Sequence, residues 1–145
     1  MIDKILQPDW LTLAQTQIGT HEIAGAKHNP QILEYHKTTK LKATTDEIAW
    51  CSAFVNWCIT KSHKVGTDSA AARSWLSWGQ PLKMPQLGCV VVLKRGKNPA
   101  QGHVGFYVGG TAGKNLKILG GNQGDQVCIQ TFPENLAIGY RWPKI

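Results

Sequence analysis

The chain changes its hydrophobic period half-way along, and that switch limits the folds open to it more than any other feature. Up to about residue 78 the apolar residues recur at helical spacing. From residue 88 they fall into short runs, GCVVVL (88–93), HVGFYVG (103–109), NLKILG (115–120), QVCIQTF (126–132) and AIGYRW (137–142), parted by Gly, Pro, Asn and Asp. Links this short favour an antiparallel sheet, since a parallel pair needs a crossover of about a dozen residues or more. Helices first and strands afterwards, with no helix between strands, predict an α+β fold: N-terminal helices packed on a C-terminal antiparallel sheet of about five strands. At 145 residues the chain reads as one domain, 1–145, and a domain that size buries roughly 68–70% of the surface its unfolded form exposes. Disulfides are not required.

Within the helical half, Pro8 and Asp9 open a run carrying Trp10, Leu11, Leu13, Ala14 and Ile18, and Gly19 can end it. Asn29 as N-cap and Pro30 at the first helical position start a second helix through Tyr35. DSAAARSWLSW (68–78) reads as another, closed by Gly79 and Pro81. Between them, TTDEIAWCSAFVNWCITK (44–61) places Cys51, Phe54, Val55, Cys58 and Ile59 on one buried stripe. Its start is open: Thr44 with Glu47 fits a capping box, while Trp50 could equally begin the helix after an irregular turn.

Sixteen Lys and Arg against nine Asp and Glu give a formal charge of +7, which favours a polyanionic partner. The basic residues are scattered rather than gathered on a recognition helix or aromatic RNA-binding motif, so nucleic acid is not the expected partner. The four cysteines, Cys51, Cys58, Cys89 and Cys128, lack the close pairing of zinc or redox motifs, so neither metal nor cofactor is expected. On one helix Cys51 and Cys58 stand about 10 Å apart, too far for a disulfide. A Cys89–Cys128 bridge stays open, although Cys58, Cys89 and Cys128 read best as small buried hydrophobes. The N-terminal MIDKILQPDW has neither the apolar core nor the cleavage site of a secretory signal, and no stretch approaches membrane-spanning length. The expectation is a soluble chain made in the cytoplasm without membrane insertion, needing a secretion machine, lysis or a partner pore to reach an outside substrate.

A thiol becomes a strong nucleophile when its thiolate is stabilised by histidine, a helix N-terminus, or both. Cys51 is best placed, next to the possible start at Trp50; a start at Thr44 would remove most of that advantage. His103 begins a strand in which Val104, Phe106 and Val108 face one side and His103, Gly105 and Tyr107 the other. It reads as a strand-borne base or as a polar end residue. His21 and His28 lie in a polar loop, and His36 and His63 near helix ends where solvated or capping roles fit. Asp46 and Glu47 suit a helix terminus. GGNQGD (120–125) lacks the Lys and Ser/Thr of a phosphate loop.

Taken in order, WCSAFVNW (50–57), GCVVVLKRG (88–96), GHVGFYVG (102–109), LGGNQGD (119–125) and IGYRWP (138–143) resemble the NlpC-type and CHAP-type peptidoglycan hydrolases, which are papain-like cysteine peptidases or amidases. The resemblance implies Cys51 as nucleophile, His103 as general base and later acid, and a polar third residue at the end of the next strand, here Asn122. Asp125 is the rival, set in a turn beside Gly124. Two positions depart from the family pattern. Gly-Cys stands where Gly-Asp is common, so Cys89 replaces an acid, and the third residue is an amide, making the orienting bond uncharged. Trp50, Trp75, Trp78 and Tyr107 could line the cleft, with Trp50 and Tyr107 the substrate-binding candidates; tryptophans at helical spacing also suit a core. The implied substrate is bacterial peptidoglycan, cut at an amide bond in the periplasm or wall of a target cell. Small proteins of this kind resemble type VI secretion amidase effectors, which travel with a cognate immunity protein, or phage endolysins. A binding module that has lost turnover is the remaining alternative.

Overall fold

The computed structural model describes residues 7–23, 28–42, 49–99, 101–111 and 114–144. Three helices, α1 (Asp9–Thr16), α2 (Pro30–Lys37) and α3 (Cys51–Lys61), precede a 3-10 turn at Ala72–Ser77 and six strands: β1 (Gln80–Leu82), β2 (Val90–Lys94), β3 (Gly102–Thr111), β4 (Asn115–Gly120), β5 (Cys128–Pro133) and β6 (Ala137–Trp142). The strands form one antiparallel sheet in the order β1-β6-β2-β3-β4-β5. This is the expected α+β arrangement with one strand more than foreseen. The extra strand, Gln-Pro-Leu, pairs with β6 at the sheet edge, a place where proline's missing N–H is harmless. In the sequence that proline reads as a stop.

Local signals set the helix ends. Asn29 caps α2 by accepting from the Gln31 N–H at 2.8 Å, with Pro30 at the first position. The first helix stops at Thr16, leaving Ile18 outside it and 47% exposed. Residues 68–78 do not form the expected α-helix. Thr67 Oγ1 and Ser69 Oγ accept from the N–H groups of Ser69 and Ala71, which holds the chain in turns until the short 3-10 segment.

The central helix packs against α1, α2, β3 and β4, and every residue from Cys51 to Ile59 is buried. Its polar face is therefore buried too, and is hydrogen-bonded throughout. Ser52 donates to Ser69 O at 2.7 Å and accepts from the Trp75 indole at 2.8 Å. Asn56 donates to Thr38 O and Asp68 Oδ1 and accepts from the Asp68 N–H.

The sheet is covered on both sides. Val90, Val92, Val104, Phe106 and Leu119 join the helices in the main core, while Cys89, Val91, Leu93, Leu116 and Ile118 form a second cluster with Tyr107, Phe132, Leu136 and Tyr140 packed on it. Burial on both faces explains why β2 is a continuous apolar run rather than an alternating one. Cys89 sits wholly inside the second cluster, so at the position where the family pattern has an acid this chain has a core residue. All four cysteines are free. Cys58 and Cys89 are buried as expected, whereas Cys128 is half-buried. His36 is also buried, not at the solvated helix end.

Candidate active site

The helix start left open by the sequence falls at Trp50. Cys51 is the first residue of α3, and the first intrahelical bond runs from Phe54 N–H to Trp50 O at 2.9 Å. The N–H groups of Cys51, Ser52 and Ala53 thus have no carbonyl within the helix, and the helix presents its positive end to the thiol. The alternative cap, Thr44 with Glu47, lies outside the described residues, as does Asp46.

The imidazole of His103 meets this helix end from β3. Position 103 pairs with Leu93 on β2, and the chain before it is tied down by the Arg73 guanidinium, which donates to Gln101 O at 2.7 Å. Cys51 and His103 share a hydrogen bond, and both are buried, at 5% and 7% exposure. Burial raises the pKa of the Cys51 thiol, but the His103 hydrogen bond and charge, with help from the Val104 and Ser52 backbone, outweigh it and hold the pKa below the ordinary value. For His103, burial acts downward and the Cys51 contact upward, Gln123 adds to the rise, Arg95 opposes it, and the net shift is up. The two shifts have the signs of a thiolate–imidazolium pair.

The third partner is Gln123, not Asn122. His103 Nε2 lies 2.8 Å from Gln123 Oε1. Asn122 occupies the left-handed region at φ 59°, where the chain turns after β4. It lines the same cleft as His103 and Gln123, but Gln123, only 3% exposed, is the one hydrogen-bonded to the ring. Asp125 is also left-handed, at φ 62°, and is exposed. The longer glutamine side chain spans what the sequence reading gave to the nearer amide.

The orientation of Gln123 decides the tautomer. Its amide nitrogen reaches two carbonyls, Ile118 O at 3.1 Å and Cys128 O at 2.8 Å. Only an NH2 group can donate to both, so Oε1 must face the ring. An amide oxygen accepts and never donates, so His103 Nε2 carries a proton. The neutral ring therefore keeps its lone pair on Nδ1, the nitrogen left for Cys51.

Two glycines make room for this arrangement. A Cβ on Gly120 would lie 2.5 Å from Gln123 Oε1 and 3.4 Å from His103 Nε2, and one on Gly121 would lie 2.7 Å from the Trp50 ring. The glycine pair marks a close approach, and it was the sequence signal that could have located the histidine's partner. Trp50 is not a substrate contact as expected. It is fully buried, stacks on Tyr35 at 5.9 Å and donates to Glu22 Oε2 at 2.8 Å. Glu22, in a polar loop with no motif around it, thereby fixes the residue before Cys51. Its segment is stitched to the far side of the Gln123 turn through Glu22 N–H to Asp125 O and Val127 N–H to Thr20 O. Tyr107 packs on the second core cluster and lies outside the lining of the cleft beside His103.

A family model for the CHAP domain matches residues 43–122, more than half of the chain. The chain belongs to the CHAP family. A search of the curated proteins gives no match. Membership of the CHAP family suggests peptidoglycan hydrolase or amidase activity, and the helices and six-stranded antiparallel sheet agree with a papain-like fold. The CHAP match ends at Asn122, one residue short of Gln123. Among the described residues no cluster of His, Cys, Asp and Glu is arranged to hold a metal ion, and no helix is long and apolar enough to cross a membrane.

Proposed function

We propose that this CHAP domain hydrolyses an amide bond of bacterial cell-wall peptide, with Cys51 as nucleophile, His103 as general base and acid, and Gln123 as the residue that positions the ring. The observation that carries the reading is the line Cys51–His103–Gln123, buried and hydrogen-bonded in that order. His103 Nδ1 takes the thiol proton, and Sγ attacks the amide carbon. The N–H groups at the start of α3, which have no carbonyl partner within the helix, stabilise the oxyanion that forms. As the C–N bond breaks, Nδ1 returns its proton to the leaving amine and a thioester remains. Water then adds, losing a proton to Nδ1, and the thiol is released with the carboxylic acid.

The test is loss of turbidity of isolated peptidoglycan, with mass spectrometry of what is released. Soluble peptide or glycan fragments carrying one new amine and one new carboxyl per cut are expected from wild type and absent from C51A. Co-sedimentation with no release would make the domain a binding module instead.

Delivery is a separate proposal. The domain acts in the periplasm or wall of a target bacterium as a type VI secretion effector, held inactive in the producer by a cognate immunity protein; a phage endolysin is the alternative. Its net positive charge suits an anionic wall. Killing of neighbouring cells that stops when the producer's secretion apparatus is inactivated supports the effector, and killing that persists without it supports the endolysin.

A further inference from the structure

A cleft of about 360 Å³ opens beside His103, and its lining includes Leu93, Lys94, Arg95, Gln130 and Phe132 but not Cys51. Its floor is apolar: Leu93 belongs to the second core cluster, and the Phe132 ring lies 5.4 Å from the imidazole, tilted by 32°. Its charged lining is of one sign. Lys94 and Arg95 are both exposed, and among the described residues no acidic side chain lines the cleft.

The chemistry proposed at Cys51 fixes which part of a substrate lies beside the imidazole. Sγ must meet the carbonyl carbon while the leaving nitrogen takes its proton from His103, so the amine half of the amide lies across the imidazole. The cleft that the imidazole lines adjoins that position.

We infer that this cleft is a carboxylate subsite, in which Arg95 and Lys94 hold a free carboxylate on the amine half of the scissile amide. The inference rests on the amidase reading above. Arg95 supplies a planar fork that matches a carboxylate, and Lys94 a second, less directional charge. Arg95 also acts on His103, disfavouring its charged form. A bound carboxylate cancels that field and so favours the imidazolium, the form that protonates the leaving amine. An acidic substrate is thus both held and assisted. A carboxamide at the same position does neither.

The experiment uses stem peptides covering three bonds, sugar to peptide, γ-D-glutamyl to diamino acid and the cross-link to D-alanine. Each is made in two forms, with the residue that supplies the scissile amine bearing a carboxylate or a carboxamide. Wild type should cut the acid form of its substrate about tenfold faster in kcat/KM, the scale expected of two partly screened cations. Arg95→Gln should bring the ratio close to one, and Lys94→Gln should lower it less. In parallel, Cys51 is alkylated with iodoacetate and with iodoacetamide, a comparison that needs no substrate. The anionic reagent should lose ground severalfold in Arg95→Gln. Equal cutting of acid and amide forms, or an Arg95→Gln variant that keeps the preference, overturns the subsite and leaves the amidase reading standing. If neither form of any peptide is cut, the amidase reading fails and the alkylation ratio decides: a ratio unmoved by Arg95→Gln overturns the subsite as well.

Discussion

Cys51 and Cys58 lie two turns apart on one stripe of α3, and both are shut off from solvent. Burial pushes the Cys58 thiol well above its ordinary pKa, while Cys51 is held below it. Residue type, helix face and burial are shared, so none of them sets the two thiols apart. What differs is place. Cys51 stands where α3 has N–H groups to spare and where β3 delivers an imidazole, whereas Cys58 sits amid satisfied backbone. Cys89 repeats the lesson in the second cluster, where burial lifts its thiol to about 11. A buried thiol without a cationic partner is an inert packing group.

The comparison breaks if exchanging the two cysteines does not separate their roles. C51A should lower hydrolysis by about 10⁴-fold or more with the fold kept, as loss of a covalent nucleophile does, measured by peptide release and circular dichroism. C58A should keep near-full turnover and lose stability by roughly 1 kcal/mol, the scale of a small core deletion, measured by denaturant melts. Turnover by C51A near that of wild type would remove the assignment.

His103→Ala sharpens the point by turning Cys51 into a second Cys58. Without the imidazole, burial is left as the main influence and the thiol pKa rises. Iodoacetamide labelling of Cys51 at pH 7 should then fall by about tenfold or more, with turnover lost alongside. In wild type Cys51 should be labelled first, ahead of Cys58 and Cys89. Fast labelling of another cysteine with activity preserved would contradict the pair.

Gln123→Ala should slow turnover by about 10–100-fold, the scale of losing an orienting partner. Asn122→Ala should change it by no more than a few-fold. A silent Gln123 beside a damaging Asn122 would restore the sequence-based choice.

The smallest expected effect is on pH. A lowered thiol pKa extends the thiolate toward acid and a raised imidazole pKa extends the imidazolium toward base, so both shifts widen the range in which the proposed pair works. Arg95 opposes the charged imidazole; its replacement by Gln should therefore move the alkaline limb of kcat/KM upward by a fraction of a unit. A downward movement would reverse the sign.

The helix-to-strand order, the N-cap at Asn29 and the meeting of Cys51 with His103 were legible because each is written in local pattern or in a short motif. Gln123 was not. Its selection depends on a left-handed Asn122, on a carbonyl from β4 and another from β5, and on side-chain length, none of which is a spacing. Trp50 was misread for a related reason: a tryptophan beside a candidate nucleophile looks like a cleft wall until Glu22, from a distant loop, is seen to hold its indole inside. The 3-10 segment was lost to Ser and Thr side chains competing with the helix, which periodicity does not weigh.

The amide at position 123 also governs where charge can travel. A carboxylate there could accept a proton from the ring, whereas a glutamine whose NH2 is committed to two carbonyls has no acid–base state to offer near neutral pH. The line from Sγ through the imidazole therefore ends in an insulator. In the proposed reaction, a proton taken from the thiol is therefore stored on the ring and leaves by the face it entered, towards the nitrogen of the substrate.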